Sequence, residues 1–116
     1  MVAPSMSMIY LEDMENIALG GAFLGTGGGG DPYIGKLMAR QAIAANGPVT
    51  VIDVETLPDD ALVVPVAMMG APTVMLEKLP QGGEALSALK SLQNYLGRKA
   101  DAVFCIEAGG LNSCLL

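Results

Sequence analysis

A chain of 116 residues is long enough for one domain that buries most of its apolar surface, and 52% hydrophobic against 16% charged residues excludes a disordered chain. Twelve acidic and six basic residues leave a net charge of −6, and no stretch interleaves Lys or Arg with aromatics, which excludes nucleic acid and acidic membrane surfaces as partners. Two cysteines, Cys105 and Cys114, and no histidine exclude a disulfide framework and a zinc site built from these residues.

Met1 to Met8 has neither a basic n-region nor a continuous apolar h-region, so the chain reads as cytoplasmic. Leu11, Met14, Ile17, Ala18, Gly21 and Leu24 then fall at helical spacing, with Glu12, Asp13, Glu15 and Asn16 on the opposite face. Gly20 and Gly21 lower helix propensity, which is expected where another backbone comes close, and Gly25 reads as the helix stop. The loop Gly25-Thr26-Gly27-Gly28-Gly29-Gly30 follows, then Asp31 as N-cap and Pro32 as first residue of a second helix. Loop amides beside a helix N-terminus make a plausible cradle for an anion. Ile34, Leu37, Met38, Ala42 and Ala45 mark the apolar stripe of the second helix, Lys36 and Arg40 its solvated side, and Asn46-Gly47-Pro48 its end.

Gly25, Gly27 and Gly30 satisfy G-x-G-x-x-G by spacing, but a dinucleotide fingerprint needs a strand before the glycines and here a helix precedes them. Gly30 to Lys36 spells G-x-x-x-x-G-K, yet Leu37 stands where a P-loop needs Ser or Thr for magnesium.

Val49–Val54 and Ala61–Met68 read as strands, joined by a turn-rich segment too short for a regular helical crossover, so their relative direction stays open. Pro65 argues against a regular central position for the second strand. The longest uncharged run, Ala61 to Leu76, is broken by Pro65, Gly70 and Pro72 and is too short to span a bilayer. A short helix over Pro72–Leu79 is stopped by Pro80, and a clearer one carries Leu86, Leu89, Leu92 and Leu96 with Gly97 as its cap. Ala102–Ile106 is the last strand, so residues 61–106 form a βαβ unit with parallel strands and a right-handed crossover. The expected fold is a single α/β domain over 1–116, in two or three layers with a mostly parallel sheet and two N-terminal helices flanking the glycine-rich loop. Met69-Gly70-Ala71-Pro72 and Glu107-Ala108-Gly109-Gly110 then share the edge where open α/β sheets bind ligands. Asn112 and Ser113 look like the cap of a further helix.

Asn16-Ile17-Ala18-Leu19-Gly20 leading into Phe23-Leu24-Gly25-Thr26-Gly27-Gly28-Gly29-Gly30-Asp31-Pro32 resembles the N-terminus of the S-methyl-thiohydantoin desulfurase-like family. Leu62 to Pro72, Glu77-Lys78-Leu79-Pro80 and Ile106-Glu107-Ala108-Gly109-Gly110-Leu111-Asn112-Ser113 resemble its later motifs in the same order. Members are several times longer, carry a separate C-terminal domain and are in part encoded near, or fused to, hydantoinase and oxoprolinase-like proteins. The resemblance therefore implies the N-terminal portion of a longer protein, truncated at its C-terminus, and an enzyme that removes methanethiol from an S-methylated thiohydantoin to leave the hydantoin.

Hydrolytic loss of a thiolate from an amidine-like carbon needs an activated water or nucleophile and a means of holding charge on the ring. Glu107 is the candidate general base and Asp31 the candidate for orienting substrate, with an N-cap and a solvated strand-end carboxylate as the plain structural alternatives. Thr26, Gly27, Gly28, Gly29, Gly30, Met69, Gly70, Ala71, Gly109, Gly110, Asn112 and Ser113 are the candidate substrate-binding residues. Cys105 reads as an inert core thiol, and Cys114 lacks a histidine to activate it. No metal site can be placed on these residues and no cofactor is assigned. The expected partner is a small cyclic ureide or anion, with self-association or a hydantoinase-type protein as macromolecular partners. A small-anion or nucleotide module using the glycine loop, and a non-catalytic assembly domain or inactive fragment, remain the alternatives.

Overall fold

The computed structural model describes residues 7–78 and 80–115, apart from the side chains at 72, 75 and 76. Strand β1 (Ser7–Ile9) and a 3-10 turn over Leu11–Asp13 lead into α1 (Met14–Gly25), followed by α2 (Pro32–Asn46) and β2 (Val49–Val51). A second 3-10 turn, Val54–Thr56, precedes β3 (Val63–Val66), α3 (Pro72–Glu77), α4 (Glu84–Leu96) and β4 (Ala102–Cys105). A last 3-10 turn spans Leu111–Cys114. Both helices and strands are present with a parallel pair, as an α/β domain requires, and no helix among the described residues is long and apolar enough to cross a membrane.

Local chemistry explains the first half. Asp13 Oδ2 accepts from the Tyr10 N–H at 2.8 Å, which fixes the entry into α1. α1 ends on Thr26 in the left-handed region at φ 46°, one residue beyond the expected stop at Gly25. Asp31 Oδ1 accepts from the Tyr33 N–H at 2.9 Å with Pro32 in the first turn, and Gly47, at φ 92°, closes α2 by donating to the Ile43 carbonyl at 2.8 Å.

Packing rotates the expected stripes. α2 buries Gly35, Ala39 and Ile43, whereas Leu37, Ala42 and Ala45 of the expected stripe are exposed. The reason is steric: a Cβ on Gly35 would stand 3.0 Å from the Cys114 Cβ and the Leu111 carbonyl oxygen, so the smallest side chains face the Leu111–Cys114 turn. On α1, Met14, Ala18 and Gly21 are buried, but Leu24 points outward. Gly21 lies against Gly110 as close backbone approach predicts, while nothing stands within 4 Å of a Cβ on Gly20. Lys36 is not simply solvated either, since its Nζ reaches both Glu15 carboxylate oxygens at 3.1 and 3.0 Å and lies 5.2 Å from the Tyr33 ring centre, joining α2 to α1. Met14, Ala18, Ala39, Ile43 and Cys114 form the core, with Ile9, Leu11, Ile17 and Val49 packed against it.

The strands fall into two separate two-stranded sheets. β2 pairs with β1 antiparallel, Ser7 opposite Val51 and Ile9 opposite Val49, and does not join β3, so the open question of its direction relative to β3 does not arise. It is shorter than expected because Asp53 starts a turn: its Oδ1 accepts from the Glu55 N–H and its carbonyl from the Thr56 hydroxyl, leaving Val54 exposed. β3 and β4 are parallel, Val63 opposite Ala102 through Val66 opposite Cys105, and α3 and α4 fill the connection between them. Leu79, the expected end of α3, lies outside the described residues. Asp101 ties this connection down, accepting from the Leu62 N–H at 2.8 Å and pairing with Arg98 at 2.9 Å; the Leu62 bond above all holds its carboxyl below the usual range.

Candidate functional site

The glycine loop meets the chain's last described segment backbone to backbone. The Gly110 N–H donates to the Gly21 carbonyl at 3.0 Å, Leu111 to Gly30 at 3.3 Å and Asn112 to Gly29 at 3.1 Å. A Cβ on Gly25 would stand 2.9 Å from the Gly110 nitrogen and 3.0 Å from the Gly109 Cα, and one on Gly29 would collide with the Gly109 carbonyl. Gly110 adopts φ 58°, and a Cβ there would collide with Gly28, Gly29 and Gly30. The density of glycine in both segments is thus set by close approach of two backbones.

That contact reshapes the loop as an anion cradle. Gly29 and Gly30 use their carbonyls to receive Asn112 and Leu111, and the Gly28 N–H turns back to the Gly25 carbonyl at 2.8 Å. Among the described residues the N–H groups of Gly29 and Gly30 donate to no protein acceptor.

Between the loop and the ends of β3 and β4 lies a cavity of about 430 Å³. The size suits a small organic ring with its substituents. Gly27 to Gly30, Ala67 to Ala71, Val74, Ile106, Glu107, Leu111 and Asn112 line it. Of the residues singled out from the sequence, the wall collects Gly27, Gly28, Gly29, Gly30, Met69, Gly70, Ala71, Glu107 and Asn112. Thr26, Asp31, Gly109, Gly110 and Ser113 lie off it: Asp31 caps α2, and the Ser113 hydroxyl donates to the Gly110 carbonyl at 2.8 Å. Ala67, Met68, Val74, Ile106 and Leu111 complete the wall and were not singled out, because apolar residues flanking a strand end read as core in a sequence.

Asn112 organises the polar side of the cavity. At 4% exposure, its Oδ1 accepts from the Met68 N–H at 2.8 Å and its Nδ2 donates to the Met68 carbonyl at 3.2 Å, as a neighbouring strand would. The same Nδ2 donates to Glu107 Oε1 at 2.6 Å. One side-chain amide therefore links both strand-end loops and fixes one oxygen of the Glu107 carboxylate. Asn112 is spent on protein partners rather than offered to a ligand.

Cys114 is a buried thiol rather than a ready nucleophile. Burial, the largest cause, pushes the Cys114 thiol up from 9.0, as does Cys105 nearby, against a lowering hydrogen bond with Ser113. Among the described residues no group of three or more Cys, Asp or Glu could hold a metal ion.

The sequence matches the family model described as S-Me-THD-like, N-terminal domain, over residues 12–116. The chain belongs to that family. No curated protein and no solved structure matches it. In the S-Me-THD-like domain, the matched span contains the glycine loop, both strand-end loops and Asn112, that is, every segment of the cavity wall.

Proposed function

We propose that this S-Me-THD-like domain binds a hydantoin-type ring in the cavity and supplies the general base of an enzyme that releases methanethiol from an S-methyl-thiohydantoin. The observation that carries the reading is Glu107, held by Asn112 on the wall of the same cavity that Gly29 and Gly30 line. In this mechanism Glu107 takes a proton from water as its oxygen attacks the ring carbon bearing the S-methyl group. The electron pair moves to the ring nitrogen, whose charge the Gly29 and Gly30 N–H groups hold. Collapse breaks the C–S bond, and the methanethiolate leaves with the proton that Glu107 took. Substrate and water thus give hydantoin and methanethiol, with Glu107 returned to its starting state. Met68, Met69 and the aliphatic lining give the S-methyl group a polarizable apolar surface.

Family membership and the lining support this reading over a nucleotide module, since no P-loop serine or threonine follows Lys36 and the cavity wall is mostly apolar. A cytoplasmic location and a hydantoinase-type partner in the same route go with it. The test is thiol release from S-methyl-thiohydantoin, followed with a thiol-reactive chromophore, by the protein that carries this domain. The proposal expects release that falls by about 10²- to 10⁴-fold in Glu107→Gln, the usual scale for a lost general base. Release no faster than in buffer, or unchanged in Glu107→Gln, would overturn it.

A further inference from the structure

Glu107 is exposed, and an exposed glutamate side chain has several rotamers open to it. The buried Asn112 narrows that choice. Its own orientation is settled by Met68, which offers an N–H and a carbonyl to the same side chain: Oδ1 accepts from the N–H at 2.8 Å and Nδ2 donates to the carbonyl at 3.2 Å. A flipped amide would set oxygen against the Met68 carbonyl and leave the Met68 N–H without its acceptor. With one Nδ2 hydrogen spent on Met68, the other is the one given to Glu107 Oε1, at 2.6 Å.

The backbone of Asn112 adds the third wall. Its N–H donates to the Gly29 carbonyl at 3.1 Å, so the glycine loop, the end of β3 and the segment after β4 all meet on one residue. Glu107 Oε1 lies close to the same loop, since a Cβ on Gly29 would stand 3.0 Å from it. Both amide hydrogens of Asn112 go to protein acceptors, so whatever Asn112 does for a reaction it does through Glu107. The amide cannot be exchanged for a carboxylate without consequence. An aspartate at this position has the same size and keeps the acceptor for the Met68 N–H, but it sets a second carboxylate oxygen against Glu107, and two carboxylates so close hold a proton between them.

We infer that Asn112 is a positioning residue: its amide, locked by Met68, fixes the Glu107 carboxylate at the cavity wall, the place from which it takes its proton in the reaction proposed above, on which this role rests. The contact itself is read without turnover. In amide NMR spectra of the ¹⁵N-labelled chain, one side-chain amide proton of Asn112 is expected well downfield of those of exposed asparagines, and to move back in Glu107→Gln, because a hydrogen bond to a charged acceptor is shorter and stronger. The kinetic consequence is read in the protein that carries this domain. Asn112→Asp is expected to lower kcat for thiol release at pH 7 by about 10- to 100-fold with KM changed by less than about threefold, and to move the rise of kcat with pH upward by about one unit or more. A purely structural role would lower the folded fraction and leave the pH profile of the remainder where it was. An Asn112 amide like those of exposed asparagines and indifferent to Glu107→Gln would overturn the inference, whether or not Asn112→Asp folds, and so would an unchanged pH profile in a folded Asn112→Asp. Absence of thiol release by the wild type, with the Asn112 amide shifted as expected, would overturn the reaction and support the fixing of Glu107.

Discussion

Two neighbouring glycines on α1 should respond to the same substitution with opposite signs. In a helix interior, glycine to alanine gains about 0.5–1 kcal/mol. At Gly20 nothing stands within 4 Å of the added Cβ, so Gly20→Ala keeps that gain. At Gly21 the added Cβ collides with the Ser113 hydroxyl oxygen and stands 3.2 Å from the Gly110 carbonyl oxygen and 3.5 Å from its nitrogen. Turning Ser113 away gives up its 2.8 Å bond to the Gly110 carbonyl, worth about 0.5–1.5 kcal/mol. Displacing the Gly110 backbone from the Gly21 carbonyl adds an overpacking cost of about 1–3 kcal/mol. The net for Gly21→Ala is a loss of about 0.5–4 kcal/mol, and because both variants share the helix gain they should differ by about 1.5–4.5 kcal/mol. Urea unfolding with shared slopes reads this directly from the midpoints. Equal shifts in the two variants, or a stabilised Gly21→Ala, would show that the Gly109–Asn112 segment does not lie against α1 as described.

Asp31→Ala is expected to cost about 1 kcal/mol through the lost cap on α2, and Asp31→Asn close to nothing, with ligand affinity equal in both; a loss of affinity in Asp31→Asn measured by calorimetry would make Asp31 a ligand-binding group. Leu111→Ala, at 1% exposure beneath the glycine loop, should lose about 2–5 kcal/mol in the same urea assay. Cys114 predicts an alkaline effect: its folded thiol keeps a proton that the unfolded chain releases near pH 9, so stability is level below that pH and falls as pH rises above it until the folded thiol ionises. Cys114→Ala should flatten that slope in unfolding measured from pH 7 to 11, and at pH 8 a thiol reagent should label half-buried Cys105 faster than buried Cys114.

The elements held by local chemistry were legible in the sequence. Asp31-Pro32 starts α2, Gly47 ends it and Gly97 ends α4, because each role depends on residues within one helical turn. Parallel pairing of β3 and β4, and the shared edge of their trailing loops, followed from chain topology. What escaped was set at long range. β1 gains its strand from pairing with β2 some forty residues away, and the faces of α1 and α2 are chosen by the 109–114 segment, which needs glycine and alanine opposite it rather than leucine. Asn112 reads as a helix cap from its neighbours, and only the fold brings Met68 and Glu107 within reach of its amide. Four glycines in a row suggested a loop that approaches a ligand, and much of that closeness is to Gly109 and Gly110.

The central claim is that the cavity between the glycine loop and the ends of β3 and β4 receives a hydantoin-type ring. Backbone amide NMR of the ¹⁵N-labelled domain, titrated with hydantoin and with S-methyl-thiohydantoin, tests it most directly. The account predicts saturable shifts centred on Gly29, Gly30, Met68 to Ala71, Glu107 and Asn112, larger for the S-methylated ring at Met68 and Met69 and weakened in Glu107→Gln. Saturable shifts confined to other parts of the chain, or none at millimolar ligand, would contradict it.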